Sequence, residues 1–188
     1  MSLEIEMKAH VSDKKLNNLK DNLKKNSQYI GTVDKTDIYW STDENGPLLF
    51  RTRLQTLGNK TFILFTKKPK QQRLETEINS EIEYTTSAKY WDTIQDFYKA
   101  LNFKICLNKY KKGWEFQEIL DEKKIHIELM KVNNLGYFFE AEITTDKEKD
   151  NFIIESQKAL FHLFEKYNLT DSIERDSYRS MIVNSKQQ

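Results

Sequence analysis

Leu3-Glu4-Ile5-Glu6-Met7-Lys8-Ala9, near the start of a 188-residue chain, alternates apolar and charged side chains with a period of two. That is the side-chain repeat of a β-strand. Leu3, Ile5, Met7 and Ala9 then share one face, and Glu4, Glu6 and Lys8 the other. A single charged face of this kind is usually solvated. The chain, however, repeats the spacing at Arg51 and Arg53, Glu75 and Glu77, Lys109 and Lys111, and Glu140 and Glu142. Like charges spaced by two on several strands predict a lined cavity that holds an anion together with metal ions.

Working outward from the first strand, Ser12 reads as an N-cap, and Leu16, Leu19 and Leu23 mark a helix to about Lys25. Strands follow near 29–41, 47–57, 60–67 and 72–84, with hairpin signals at Asn45-Gly46-Pro47 and Gly58-Asn59. Residues 87–101 read as a helix with Trp91, Ile94, Phe97, Tyr98 and Leu101 on one stripe. Four further strands are expected at 103–111, 113–120, 124–131 and 136–144. A helix at about 148–167 presents Phe152, Ile153, Leu160, Leu163 and Phe164, and a short tail helix is expected near 174–183. About eight antiparallel strands close readily into a barrel. The expected fold is therefore α+β: a closed eight-stranded antiparallel β-barrel with helices packed outside, as one domain over residues 1–188.

The amphipathic helices need apolar partners. Ile5 and Met7, Leu74 and Ile78, and Phe139 and Ala141 supply them, which turns the charged strand faces inward. Burying unpaired charges costs several kcal/mol each. The inward charges must therefore pair, meet water or meet a ligand. The inward acids are Glu4, Glu6, Glu75, Glu77, Glu140 and Glu142; the inward bases are Lys8, Arg51, Arg53, Lys67, Arg73, Lys109 and Lys111. Lys67 shares its parity with Ile63 and Phe65, and Lys68 rivals it. Carboxylate clusters suit Mg²⁺ or Mn²⁺, and Arg and Lys suit phosphate oxygens. No glycine-rich phosphate loop is present, so side chains must bind any polyphosphate.

Thirty basic and 29 acidic residues nearly cancel, which argues against a dedicated nucleic-acid binder. Cys106 is the single cysteine, so no intrachain disulfide forms. No signal peptide and no apolar run of about 20 residues is seen, so a cytoplasmic protein without a membrane partner is expected. His10, His126 and His162 lie on separate elements without ligand spacing, and no histidine metal site is expected. Oligomeric state is not legible, and a homodimer is left open.

In order along the chain these segments resemble the CYTH superfamily, the triphosphate tunnel metalloenzymes, which includes class IV adenylyl cyclases and thiamine triphosphatases. Glu4-Ile5-Glu6-Met7-Lys8 resembles the family's E-x-E-x-K strand. Asp37-Ile38-Tyr39 resembles D-x-Y, Arg51-Thr52-Arg53 resembles R-x-R, and Thr66-Lys67 resembles the hydrophobic-T-K segment. Arg73-Leu74-Glu75-Thr76-Glu77 is similar to R-x-E-x-E, and Leu135-Gly136-Tyr137-Phe138-Phe139-Glu140-Ala141-Glu142 to L-G-x-F-x-E-x-E. Glu174-Arg175-Asp176-Ser177-Tyr178-Arg179 resembles the tail of the cyclase branch.

The resemblance implies a closed tunnel and an enzyme that needs Mg²⁺ or Mn²⁺ and takes a triphosphate substrate. It implies metal ligation by Glu4, Glu6, Glu140 and Glu142, with Glu75 and Glu77 on the opposing wall. Phosphate contacts would come from Lys8, Arg51, Arg53, Lys67, Arg73, Lys109 and Lys111, and Glu4, Glu6 and Lys8 would be catalytic. The leading reaction is ATP to cyclic AMP and pyrophosphate. The alternatives are hydrolysis of inorganic, thiamine or nucleoside triphosphate, and polyphosphate or nucleotide binding without turnover. Two departures stand out: Met130 replaces an acid that many members carry, with Glu128 as a substitute, and Lys109-Tyr110-Lys111 replaces K-x-R.

Overall fold

The computed structural model describes residues 2–44, 46–67, 70–73, 76–145 and 150–185. In chain order the elements are β1 (Ser2–Val11), α1 (Asp13–Asn26), β2 (Gln28–Ser41), β3 (Phe50–Leu57), β4 (Lys60–Lys67), β5 (Lys70–Arg73), β6 (Thr76–Ser87), α2 (Trp91–Ala100), β7 (Lys104–Leu120), β8 (Lys123–Val132), β9 (Gly136–Thr145), α3 (Asp150–Lys166), β10 (Ile173–Glu174) and α4 (Tyr178–Ser185). The fold is α+β: one antiparallel sheet with four helices. Strand order is β10-β1-β9-β8-β7-β2-β3-β4-β6-β5, and β1 also pairs with β6, from Ser2↔Glu81 to Glu6↔Glu77.

The alternation in β1 survives into packing. Leu3, Ile5 and Ala9 are buried in a cluster with Leu19 and Leu23 of α1 and Ala159, Leu160, Leu163 and Phe164 of α3. Phe139 and Ala141 of β9 and Ile125, Ile127 and Leu129 of β8 complete that layer. The helices thus claim the apolar strand faces, and the alternate residues point to the other side. Leu74 lies outside the described residues, as does the side chain of Ile78.

Among the described residues the sheet has ten strands where about eight were expected. β5 and β10 add short pairings of four and two residues. The break expected at residue 112 is absent: β7 runs unbroken for 17 residues. Gly113 lies opposite Met130, where the two backbones approach closely. A Cβ there would stand 2.1 Å from the Leu129 carbonyl oxygen. Glycine thus marks a close approach within a strand, not its end. The Gly58-Asn59 hairpin forms as read, with Leu57 paired to Lys60 and Gly58 in the left-handed region at φ 59°. Ser12 is the N-cap residue of α1, although its side chain makes no capping hydrogen bond.

The stripe on α2 is only partly used. Tyr98 packs on Trp40, Phe50 and Phe103, while Phe97 and Leu101 are exposed. A helix of ten residues covers one aromatic cluster, and its stripe is broader than that contact.

Candidate active site

The charged strand faces line one cavity of about 670 Å³. Residues of equal parity on successive strands build it. β1 supplies Glu4, Glu6 and Lys8; β2 supplies Lys35 and Tyr39; β3 supplies Arg51, Arg53 and Gln55. Lys109, Lys111 and Glu115 come from β7, His126 and Glu128 from β8, and Glu140 and Glu142 from β9. Strand register sets charges side by side: Lys8 opposite Glu140, Glu6 opposite Glu142, and Glu128 opposite Glu140.

On one side a buried acid, Asp37, meets several cations. Asp37 is fully buried, and both of its carboxylate oxygens accept from Arg53, Oδ1 from Nε at 2.6 Å and Oδ2 from Nη2 at 3.0 Å. Lys109 Nζ is 3.1 Å from Asp37 Oδ2, and Arg51 Nη1 is 3.9 Å away. Burial pushes the Asp37 carboxyl up, but the charges of Arg53, Lys109 and Arg51 outweigh it and hold it well below the usual range. Arg51 donates from Nη2 to Thr66 Oγ1 at 2.8 Å, whereas its buried Nε has no hydrogen-bond partner among the described residues. Glu83 Oε1, which accepts from Thr66 Oγ1, lies 3.9 Å from Arg51 Nη2, so two carboxylates face three cations and this wall stays electropositive.

A second group is mixed. Lys35 bridges Glu115, at 3.0 Å, and Glu128, to which it donates a short hydrogen bond. Lys111 Nζ lies 2.5 Å from Glu128 Oε2 and 3.0 Å from Glu140 Oε2. Burial would push the Glu140 carboxyl up, but the Lys111 charge outweighs it and brings it to about 2. Burial would lower the His126 imidazole, and Glu128 beside it raises it instead.

The third group is acidic. Carboxylate oxygens of Glu4, Glu6 and Glu142 all lie within 4.8 Å of one another. Burial and the Glu4 charge push the Glu142 carboxyl up to about 7. Three partly exposed carboxylates gathered this closely form an all-oxygen donor set that fits Mg²⁺ or Mn²⁺.

The tail helix reaches the same cavity. Tyr178 donates from its hydroxyl to Glu140 Oε2 at 2.7 Å. Lys8, Lys109 and Lys111 lie 5.2–5.6 Å from its ring centroid. Leu48, Leu49, Phe50 and Leu64 give the cavity an apolar portion.

Of the residues singled out in the sequence, Glu4, Glu6, Lys8, Arg51, Arg53, Lys109, Lys111, Glu140 and Glu142 meet in this cavity. Glu140 accepts from Lys111 and Tyr178 and is not in the Glu4–Glu6–Glu142 cluster. Lys67 is exposed and does not line the cavity; its neighbour Thr66 does. The pleat explains this, since Lys67 shares the outer parity of the buried Ile63. Glu75 and Lys68 lie outside the described residues, as do the side chains of Arg73 and Glu77. Met130 is buried with Phe138 and Tyr178 in an apolar cluster, while Glu128 faces the cavity. Sequence reasoning missed Lys35, Glu115 and His126. The first two share the parity of Asp37 and Lys111 on their strands, a signal that was available.

A model of the CYTH domain matches residues 2–176. The chain belongs to the CYTH family. No curated protein sequence matches it. The CYTH chain is similar in fold to the PH1819 protein of Pyrococcus horikoshii OT3, with 18% identity, coverage of 97% of this chain and 99% of that one, and a TM-score of 0.78. It is also similar to a candidate adenylate cyclase of Vibrio parahaemolyticus, at 15% identity, 96% and 98% coverage and a TM-score of 0.69. A third similar fold is HpAC1 of Hippeastrum, a candidate adenylyl cyclase described as having a dominant triphosphatase activity, at 12% identity, 98% and 96% coverage and a TM-score of 0.61. No helix among the described residues of this CYTH protein is long and apolar enough to cross a membrane.

Proposed function

We propose that this CYTH protein is a divalent-metal-dependent enzyme acting on a triphosphate, with ATP to cyclic AMP and pyrophosphate as its leading reaction. The observation that carries this reading is one cavity with an electropositive wall around Arg51, Arg53 and Lys109 and an acidic cluster at Glu4, Glu6 and Glu142. The β1–β6 register supports reading the eight longer strands as a tunnel around that cavity. Residues 1–188 then act as one domain.

Arg51, Arg53, Lys8, Lys109 and Lys111 hold the phosphate oxygens and offset charge that builds on the leaving group. A Mg²⁺ or Mn²⁺ ion at Glu4, Glu6 and Glu142 would supply Lewis-acid activation of the attacking hydroxyl. In the cyclase reaction the ribose 3′-oxygen forms a bond to the α-phosphorus. The bond from that phosphorus to the bridging oxygen breaks, pyrophosphate leaves, and the hydroxyl proton passes to solvent. Tyr178 fixes Glu140, which in turn fixes Lys111. Leu48, Leu49, Phe50 and Leu64 favour a substrate with an organic end, which an inorganic triphosphate lacks.

The test is to incubate pure protein with ATP and Mg²⁺ or Mn²⁺ and resolve the products. Cyclic AMP with pyrophosphate supports the cyclase. Release of orthophosphate identifies a triphosphatase, and binding without products a non-catalytic module. Glu4→Gln combined with Glu6→Gln is expected to lower turnover at least a hundredfold and weaken metal binding. Unchanged activity and metal affinity would remove these residues from the site.

A further inference from the structure

Among the described residues the cavity holds two carboxylate clusters, and they differ in what already occupies them. The cluster at Glu4, Glu6 and Glu142 is the one assigned above to a divalent ion. The other brings donor atoms of Glu115, His126 and Glu128 within 4.8 Å of one another, spacing that a divalent ion could bridge. There, however, Lys35 sends its ammonium between the acids, 3.0 Å from Glu115 Oε1 and in a short hydrogen bond to Glu128 Oε1. Lys35 is 3% exposed, Glu115 3% and Glu128 7%, so little water screens these contacts. Lys111 takes the second oxygen of Glu128 at 2.5 Å. The backbone of Lys35 is pinned on both sides, opposite Gln55 in β3 and Lys111 in β7, so its side chain starts from a fixed point. A metal ion placed among these donors would meet a buried positive charge at contact distance, where a low dielectric strengthens the repulsion.

We propose that Lys35 is a built-in monocation that fills the Glu115–His126–Glu128 cluster and excludes a divalent ion from it, so that of the two clusters among the described residues only Glu4, Glu6 and Glu142 takes a metal. This rests on the metal assignment made under the proposed function. It assigns Lys35 a positioning role: it offsets the charge of Glu115 and Glu128 on the second wall while leaving the Glu4–Glu6–Glu142 cluster to the metal. Removing the ammonium turns the second cluster into a mixed nitrogen–oxygen site suited to Mn²⁺ or Zn²⁺.

The experiment counts bound Mn²⁺ by electron paramagnetic resonance in the 188-residue chain, wild type against Lys35→Met. The expected result is one ion more per chain in the variant than in the wild type. Spin-echo spectra should show imidazole nitrogen modulation in the variant and none in the wild type. His126→Gln added to Lys35→Met should abolish that modulation. Equal stoichiometry in a folded variant, or nitrogen modulation in the wild type, overturns the proposal. Should Lys35→Met fail to fold, Lys35→Gln gives the same count, and the wild-type spectrum decides independently of either. The two readings separate cleanly: the wild-type count, and its loss in Glu142→Gln, test the metal assignment, while the increment tests Lys35.

Discussion

Asp37 faces three cations while fully buried, so its removal takes from Arg53 the carboxylate that both of its hydrogen bonds reach. Breaking a buried pair by deleting one partner costs about 3–5 kcal/mol. Asp37→Ala should therefore lower the urea midpoint by a corresponding amount, and a midpoint within error of wild type would show that solvent already shares the load. The same carboxyl carries a pH signature. Its value is depressed in the fold, so its stabilisation is present above the unfolded value of 3.8 and is lost as pH falls through the folded value. Glu142 behaves oppositely. Its carboxyl is raised from 4.5 to about 7, so the metal-free fold binds this proton more tightly than the unfolded chain does. Stability from Glu142 is full below about 4.5 and is lost as pH rises toward 7. Metal binding needs the ionised form, so Mn²⁺ affinity should climb with pH and flatten above about 7. Glu142→Gln should weaken binding and remove that climb, which calorimetry across pH 5–8 would read. These roles were partly legible: E-x-E-x-K at 4–8 and the pairs at 51 and 53, 109 and 111, and 140 and 142 carry the spacing. The partner choice was not, because it depends on which strands become neighbours.

At the scale of elements, β7 is the most instructive. Its central Gly113 allows the backbone to pass Leu129 and Met130 of β8, and a methyl group there would overlap the Leu129 carbonyl. Gly113→Ala should destabilise the protein by about 2 kcal/mol or more by forcing these strands apart, measured as a fall in the denaturation midpoint. Retained stability would mean that β8 can shift. Sequence alone divided this strand at residue 112, into 103–111 and 113–120, since a lone glycine beside it is ambiguous between a turn and a close approach. The reverse holds for α1 and α3, whose apolar spacing was legible because each helix contains its own period. The tail near 174–183 was expected as a helix; α4 begins at Tyr178, and its tyrosine enters the cavity. Tyr178→Phe removes the hydrogen bond to Glu140, and a bond to a charged group is worth about 1.5–3 kcal/mol.

At the scale of the whole molecule, the cavity gathers cations from β1, β3 and β7 onto shared walls, a concentration that the net charge of +1 conceals. An anion that binds only the folded state must stabilise it. Inorganic tripolyphosphate at 100 times its dissociation constant should add about 2.7 kcal/mol, read as a rise in Tm, and raised salt should diminish it. No rise would argue against a polyphosphate site. Alternation within each strand depends only on neighbours along the chain, so the sequence alone determined which residues of β1, β3, β7 and β9 share a face. The family motifs, too, lie in contiguous segments. Tertiary structure alone decided that Glu128 stands beside Lys111 while Met130 packs in an apolar cluster, and that Lys35 sits between Glu115 and Glu128. Those outcomes rest on register between strands far apart in sequence, and register is set by the packing of the whole sheet. The charged face at Glu4, Glu6 and Lys8 was therefore readable as a face, but its place in a cavity wall came from the strands that line the cavity with it.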